Sequence, residues 1–173
     1  SRELKSCRRS LIRMSMISGL GMALSGGEQT RLALSLLREP DQNVSKAKAN
    51  EMAKNAVREF AQQLTWGVPN AADKKGIGQL LEDLKSGYLK IKFAARNPLH
   101  AKLYVCHLDG GMGGYRAIVG SSNFTSAGLA HQGELNIEES DVEHGKRLYK
   151  WFLNKWDDVF TIDITDKLIE ALE

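Results

Sequence analysis

The chain has 173 residues, of which 42% are hydrophobic and 26% charged, which is the balance of one ordinary globular domain with a single well-buried core. No apolar stretch approaches the length needed to cross a bilayer, and two cysteines, Cys7 and Cys106, cannot build a disulfide framework, so a reducing, cytoplasmic setting is expected. The net charge of +3 suits a polyanionic partner without requiring one.

The chain opens on Ser1 rather than Met, and one domain over 1–173, cut from a longer polypeptide, is the expectation. Ser1 to Met14 carries Arg2, Lys5, Arg8, Arg9 and Arg13 against Glu3 alone. That pattern imitates a transit peptide, but it reads better as a solvated, ill-ordered basic end. Residues 10–37 resist a clear reading because Gly19, Gly21, Gly26 and Gly27 break the apolar runs. Within them, Thr30 to Leu37 has the character of a buried strand that Pro40 closes.

From Ser45 to Leu64, Ala53, Ala56, Val57, Phe60, Ala61 and Leu64 recur at helical spacing. A second helix is predicted from about Asp73 to Ser86, on Ile77, Leu80, Leu81 and Leu84, with Gly87 placed for a left-handed cap. Alternation then takes over in Tyr88 to Phe93, Leu99 to Cys106, Tyr115 to Val119 and Glu134 to Glu138. Helical spacing returns after Ser140, whose distance from Glu143 fits a capping box. Leu148, Phe152, Trp156 and Val159 form the apolar stripe there, and Trp151 and Trp156 read as core residues rather than as a platform for stacking bases. A last short helix is predicted over Asp163 to Leu172. Helices bracketing closely spaced strands imply a layered α/β domain.

Chemistry concentrates between Leu99 and Asn136. His100 and Lys102 lie two apart in a predicted strand and leave the same face of the sheet, while Leu99, Ala101, Leu103 and Val105 face the other way into a core. An imidazole beside an ammonium packs poorly, because the cation disfavours protonation of the histidine. Around an anion the pair makes sense: the lysine neutralises a phosphate and the neutral imidazole is left to attack phosphorus. Gly120-Ser121-Ser122-Asn123 follows at the end of the next predicted strand, where small residues allow close approach to an oxyanion and Ser121 and Asn123 supply neutral donors. Glu134, one strand further on, is placed to hold the imidazole in its attacking tautomer.

His-Ala-Lys at 100–102, Gly-Ser-Ser-Asn at 120–123 and Glu-Leu-Asn at 134–136 together resemble the HKD motif of the phospholipase D superfamily. The resemblance implies a mixed β-sheet with helices on both faces, and no metal or other cofactor. It also implies a histidine that attacks the diester to give a phosphohistidine, and a second histidine that protonates the leaving oxygen. Carried over, His100 is nucleophile or acid, Lys102 and Asn123 bind phosphate with help from Ser121, and Glu134 orients the imidazole. The pattern departs from the family in one place: the aspartate expected five residues after the lysine is His107, and the nearest aspartate is Asp109.

The mechanism needs two histidines, and the chain carries one complete motif. His144-Gly145-Lys146 repeats the tripeptide inside a predicted helix, where residues two apart point about 200° away from each other, and no Gly-Ser-x-Asn follows it. A homodimer in which each copy gives one histidine to a shared pocket is what the resemblance implies, since single-motif members of the superfamily pair in this way, and it is expected in preference to a missing half of a longer polypeptide.

Leu24 to Gln29, followed by Arg31 to Leu34, resembles the signature segment of ABC-type ATPases, but no P-loop precedes it. It reads as a glycine-containing turn feeding a strand. His100, His107, His131, His144 and the two cysteines show no metal-ligand spacing.

The motif does not choose among phosphodiesters. The basic balance, the cysteine use and the lack of a bilayer-seeking element favour nucleic acid, with DNA before RNA and no membrane partner. Ile118 to Leu129 and Trp151 to Phe160 also resemble phospholipase D-like modules attached to helicases and to some restriction systems. The expectation is a nuclease. A catalytically silent nucleic-acid-binding or dimerisation module and a lipid or small-molecule phosphodiester hydrolase stand as alternatives.

Overall fold

The computed structural model describes residues 17–25, 30–36, 43–65, 71–96, 102–108, 114–120 and 135–173. They form seven strands, β1 (Ile17–Ser25), β2 (Thr30–Leu36), β3 (Leu89–Ala94), β4 (Lys102–Leu108), β5 (Gly114–Gly120), β6 (Asn136–Glu139) and β7 (Thr161–Asp163). With them are four helices, α1 (Lys46–Thr65), α2 (Ala71–Lys85), α3 (Val142–Trp156) and α4 (Thr165–Leu172). One sheet holds all seven strands in the order β6-β5-β4-β1-β2-β3-β7. The pairs β1–β4 and β2–β3 are parallel and the others antiparallel, so the sheet is mixed.

The period-2 pattern of β4 decides which side each residue serves. Leu103 and Val105 are buried on one face, here the back, with Ala33, Ala94, Ala117, Phe152 and Trp156. On the front face Leu32, Leu34, Ile91 and Phe93 pack with the buried stripe of α1, namely Ala49, Ala53, Ala56, Val57, Phe60 and Leu64, and with Leu80, Leu84 and Leu168. Helices on both faces, α1, α2 and α4 in front and α3 behind, are what the sequence pattern and the family resemblance imply.

Local signals set the boundaries. The Ser45 hydroxyl accepts the Lys48 backbone N–H at 3.2 Å at the start of α1. Gly87, at φ 74°, takes the left-handed conformation that ends α2. Thr165 hooks α4 to β3: its hydroxyl accepts the Ile91 N–H at 3.1 Å and donates to the Ile91 carbonyl at 3.3 Å, so a buried hydroxyl is satisfied twice.

Three expectations need correction, and one stretch without a clear reading resolves. Ile17–Ser25 is a strand that the glycines concealed. The cap of α3 is Asp141 rather than Ser140, because its carboxylate accepts the His144 N–H at 2.8 Å and puts negative charge on the helix N-terminus. The stripe of α3 stops at Trp156, since the helix ends there, and Val159 lies beyond it, 70% exposed. Asp163 belongs to a three-residue strand, with α4 starting at Thr165.

The segment resembling an ATPase signature joins two antiparallel strands whose register closes at Leu24↔Thr30. Residues 26–29, the expected turn, lie outside the described residues, as does 1–14. No described helix is long and apolar enough to cross a membrane.

Candidate active site

The register lines up one residue from each strand in a single transverse row: Asn136, Gly120, Lys102, Leu20, Leu34, Phe93 and Ile162. Directly paired residues share a face, so this row runs along the front. At the β2–β3–β7 end it is core. At the β4–β5–β6 end it carries a lysine, a glycine and an asparagine.

Three strand ends meet at that polar end: the start of β4 at Lys102, the finish of β5 at Gly120 and the start of β6 at Asn136. The remaining motif residues are joined to these ends. His100 is two before Lys102, Ser121 is the residue after Gly120, Asn123 is three after it, and Glu134 is two before Asn136. His100, Ser121, Asn123 and Glu134 themselves lie outside the described residues, as do Cys7, Asp109 and His131. The backbone of His107, where the family pattern has its aspartate, continues β4 opposite Tyr115.

Gly120 is required by the close approach of β6. A methyl group there would run into the Asn136 Oδ1 and the Leu135 carbonyl oxygen, and would stand 2.8 Å from the Asn136 Cα. The Asn136 side chain therefore lies across the last residue of β5, immediately before Ser121. Sequence reasoning quoted Asn136 as part of a string but gave it no role. Its pairing position opposite Gly120 places it at the polar end of the row.

The front of β4 continues from Lys102 through Tyr104 to Cys106, all half-buried. Burial drives the Tyr104 phenol and the Cys106 thiol above their ordinary values, so both stay neutral at physiological pH and neither offers Lys102 a counter-charge along its own strand. Beside them on β5, Arg116 and Ile118 are exposed, as is Glu138 on β6. This half of the front face thus combines a half-buried cation on β4 with exposed residues on β5 and β6. Among the described residues no group of His, Cys, Asp and Glu is arranged to hold a metal ion.

The second His-x-Lys tripeptide is a structural element. His144 sits in the first turn of α3, on the opposite side of the sheet from Lys102, with its Nδ1 3.1 Å from Glu139 Oε2. Gly145 lets the helix press onto β5: a methyl group there would stand 2.7 Å from the Tyr115 Cβ and 2.8 Å from the Tyr115 carbonyl oxygen. The backbone N–H of Asp141 donates to Glu139 at 2.8 Å, and that bond is the main reason the Glu139 carboxyl sits below its usual range. The His144 N–H does the same for Asp141.

The family model described as the phospholipase D-like domain of cardiolipin synthase matches residues 61–156, more than half of the chain. The chain belongs to the phospholipase D superfamily. The matched segment of this phospholipase D-like chain runs from the last turn of α1 to the end of α3 and contains every motif residue named above. Membership points to phosphodiesterase-type activity. No curated protein and no solved structure matches the chain.

Proposed function

We propose that this chain is a metal-independent phosphodiesterase, a nuclease module whose active site is completed by a second copy of itself. The observation that carries the reading is the row Lys102–Gly120–Asn136, which brings the strand ends bearing all three parts of the motif side by side on an accessible face.

In this reading Lys102 and Asn123 hold the phosphate, Ser121 adds a neutral donor, and Glu134 keeps the His100 imidazole in the attacking tautomer. A ring nitrogen of His100 forms a bond to phosphorus, and the bond from phosphorus to the leaving oxygen breaks. The equivalent histidine of the second copy gives that oxygen its proton. Water then attacks the phosphohistidine, loses a proton to the second histidine, and releases both the phosphate monoester and the free imidazole. The charge balance favours a polyanionic substrate, DNA before RNA, in a cytoplasmic setting.

Turnover of a chromogenic phosphodiester in EDTA tests the chemistry. His100→Ala abolishes turnover, and Lys102→Ala lowers it on the order of 10²–10³-fold, as removal of an oxyanion partner does elsewhere. Comparison of single-stranded DNA, duplex DNA, RNA and phosphatidyl substrates then identifies the class, and specific activity falls on dilution if two copies share the site. Identical behaviour of wild type and His100→Ala on every substrate sinks the proposal and leaves a silent binding or dimerisation module. Turnover of phosphatidyl substrates alone makes it a lipid hydrolase.

A further inference from the structure

Of the helices, α3 is the most basic. It carries Lys146, Arg147, Lys150 and Lys155 against Glu143 alone, whereas α1 has Lys46, Lys48, Lys54 and Arg58 against Glu51 and Glu59, and the charges of α2 balance. Its buried side is given by Gly145, Phe152 and Trp156, so its outer side presents Lys146, Arg147, Lys150, Trp151 and Asn154, all exposed. Arg147, Lys150, Trp151 and Asn154 fall at i, i+3, i+4 and i+7, which is one stripe. Trp151 is 36% exposed, with the Lys155 ammonium 5.7 Å from its ring centroid. An indole a third exposed and flanked by cations offers part of its surface for stacking a base between phosphate contacts.

The direction of α3 adds to this. Its first turn meets β5 at Tyr115, far from the site, while the carbonyl of its last residue, Trp156, accepts the Lys92 ammonium at 3.0 Å. Lys92 precedes Phe93, the β3 member of the row that contains Lys102. The helix therefore runs along the back of the sheet towards the end where Lys102 stands. Lys90 and Arg31, directly paired, are on the same face but further from that row than Lys92, so the basic line along the back is that of α3 and Lys92. The nearby carboxylates of Asp158 and Asp163 are occupied locally, accepting the Phe160 and Thr165 N–H groups; Asp157 is exposed just past the helix end.

We propose that the outer face of α3 is a track for single-stranded nucleic acid, with phosphates on Arg147 and Lys150 and a base stacked on Trp151, leading a polymer to the site end of the sheet. The track rests on the nucleic-acid reading of the site but involves none of its catalytic groups.

The test is fluorescence anisotropy of the full chain with a labelled single-stranded oligonucleotide across a salt series, beside turnover of the small chromogenic diester. Arg147→Gln/Lys150→Gln weakens oligonucleotide binding at least tenfold at low salt and lowers the slope of log affinity against log salt by roughly 1.4, the value for two lost phosphate contacts. Trp151→Ala weakens binding on the order of tenfold with the salt slope unchanged, and Trp151→Phe recovers most of the loss. Small-diester turnover stays at the wild-type level in all three, which also reports that they fold. Oligonucleotide binding equal to wild type in these variants overturns the track and leaves a nucleic-acid enzyme intact. A wild type that hydrolyses the small diester but binds only anionic vesicles overturns both the track and the nuclease reading.

Discussion

The two ends of the transverse row on the front face make an instructive pair. Leu34 and Phe93 are fully buried beneath α1, whereas Lys102, Gly120 and Asn136, on the same face and in the same register, remain accessible. Strand geometry is shared by both ends, so it does not explain the difference. The helices do: α1, α2 and α4 cover β2, β3 and β7 in front, while α3 covers β5 and its neighbours from behind. The β2–β3 half is thus buried in front and, at Ala33 and Ala94, behind as well, while the β4–β5–β6 half is buried chiefly behind and leaves Arg116, Ile118, Asn136 and Glu138 exposed in front. Stability and chemistry are divided between regions rather than compromised within one.

The largest test of that division is a truncation at each end. Phe93→Ala should cost about 3–5 kcal/mol of unfolding free energy in urea melts, whereas Ile118→Ala, 44% exposed on the accessible half, should stay within about 0.5 kcal/mol. Comparable losses at both positions would mean that the accessible half is also core. A smaller effect sharpens the role of α3. Gly145→Ala forces the helix off the Tyr115 backbone and should cost about 1–3 kcal/mol, while Gly78→Ala in α2, where an added methyl meets nothing within 4 Å, should be neutral or stabilising by up to about 1 kcal/mol.

The smallest effect is one of pH. The Glu139 and Asp141 carboxyls titrate below their ordinary values because backbone N–H groups bond to their charged forms. Their contribution is present above the unfolded carboxylate range and lost as pH falls through the depressed folded values. Glu139→Gln with Asp141→Asn should therefore lower stability near pH 7 and shallow the acid limb below about pH 4, the two profiles converging at the acid end.

Much of this was legible beforehand. The alternation that puts Leu103 and Val105 opposite Lys102 is strict, and the α1 stripe from Ala53 to Leu64 is long enough to leave no other reading. What escaped has identifiable reasons. β1 carries Gly19 and Gly21, which remove the branched side chains by which a strand is recognised, and the parallel pairing that places it beside β4 leaves no local trace. β7 has three residues, too few for a period. Trp151 sits one residue, about 100° of helix, from buried Phe152, so spacing alone did not show that it would reach solvent. For the active site, the string of residue types was readable and so was the face of Lys102. The contact of Asn136 with Gly120 was not, because it depends on the register of β6 against β5.

The order of the sheet carries one more consequence. The segment that recurs in the family, 61–156, contains β3 on one side and β4, β5 and β6 on the other, yet the strands that join them, β1 and β2, come from earlier in the chain. Excised alone, that stretch would keep a β4–β5–β6 piece with a bare hydrogen-bonding edge and a solitary β3 bare on both sides, since β7 lies outside it as well. The portion of the polypeptide that is recognisable by descent is not a portion that closes on itself in space.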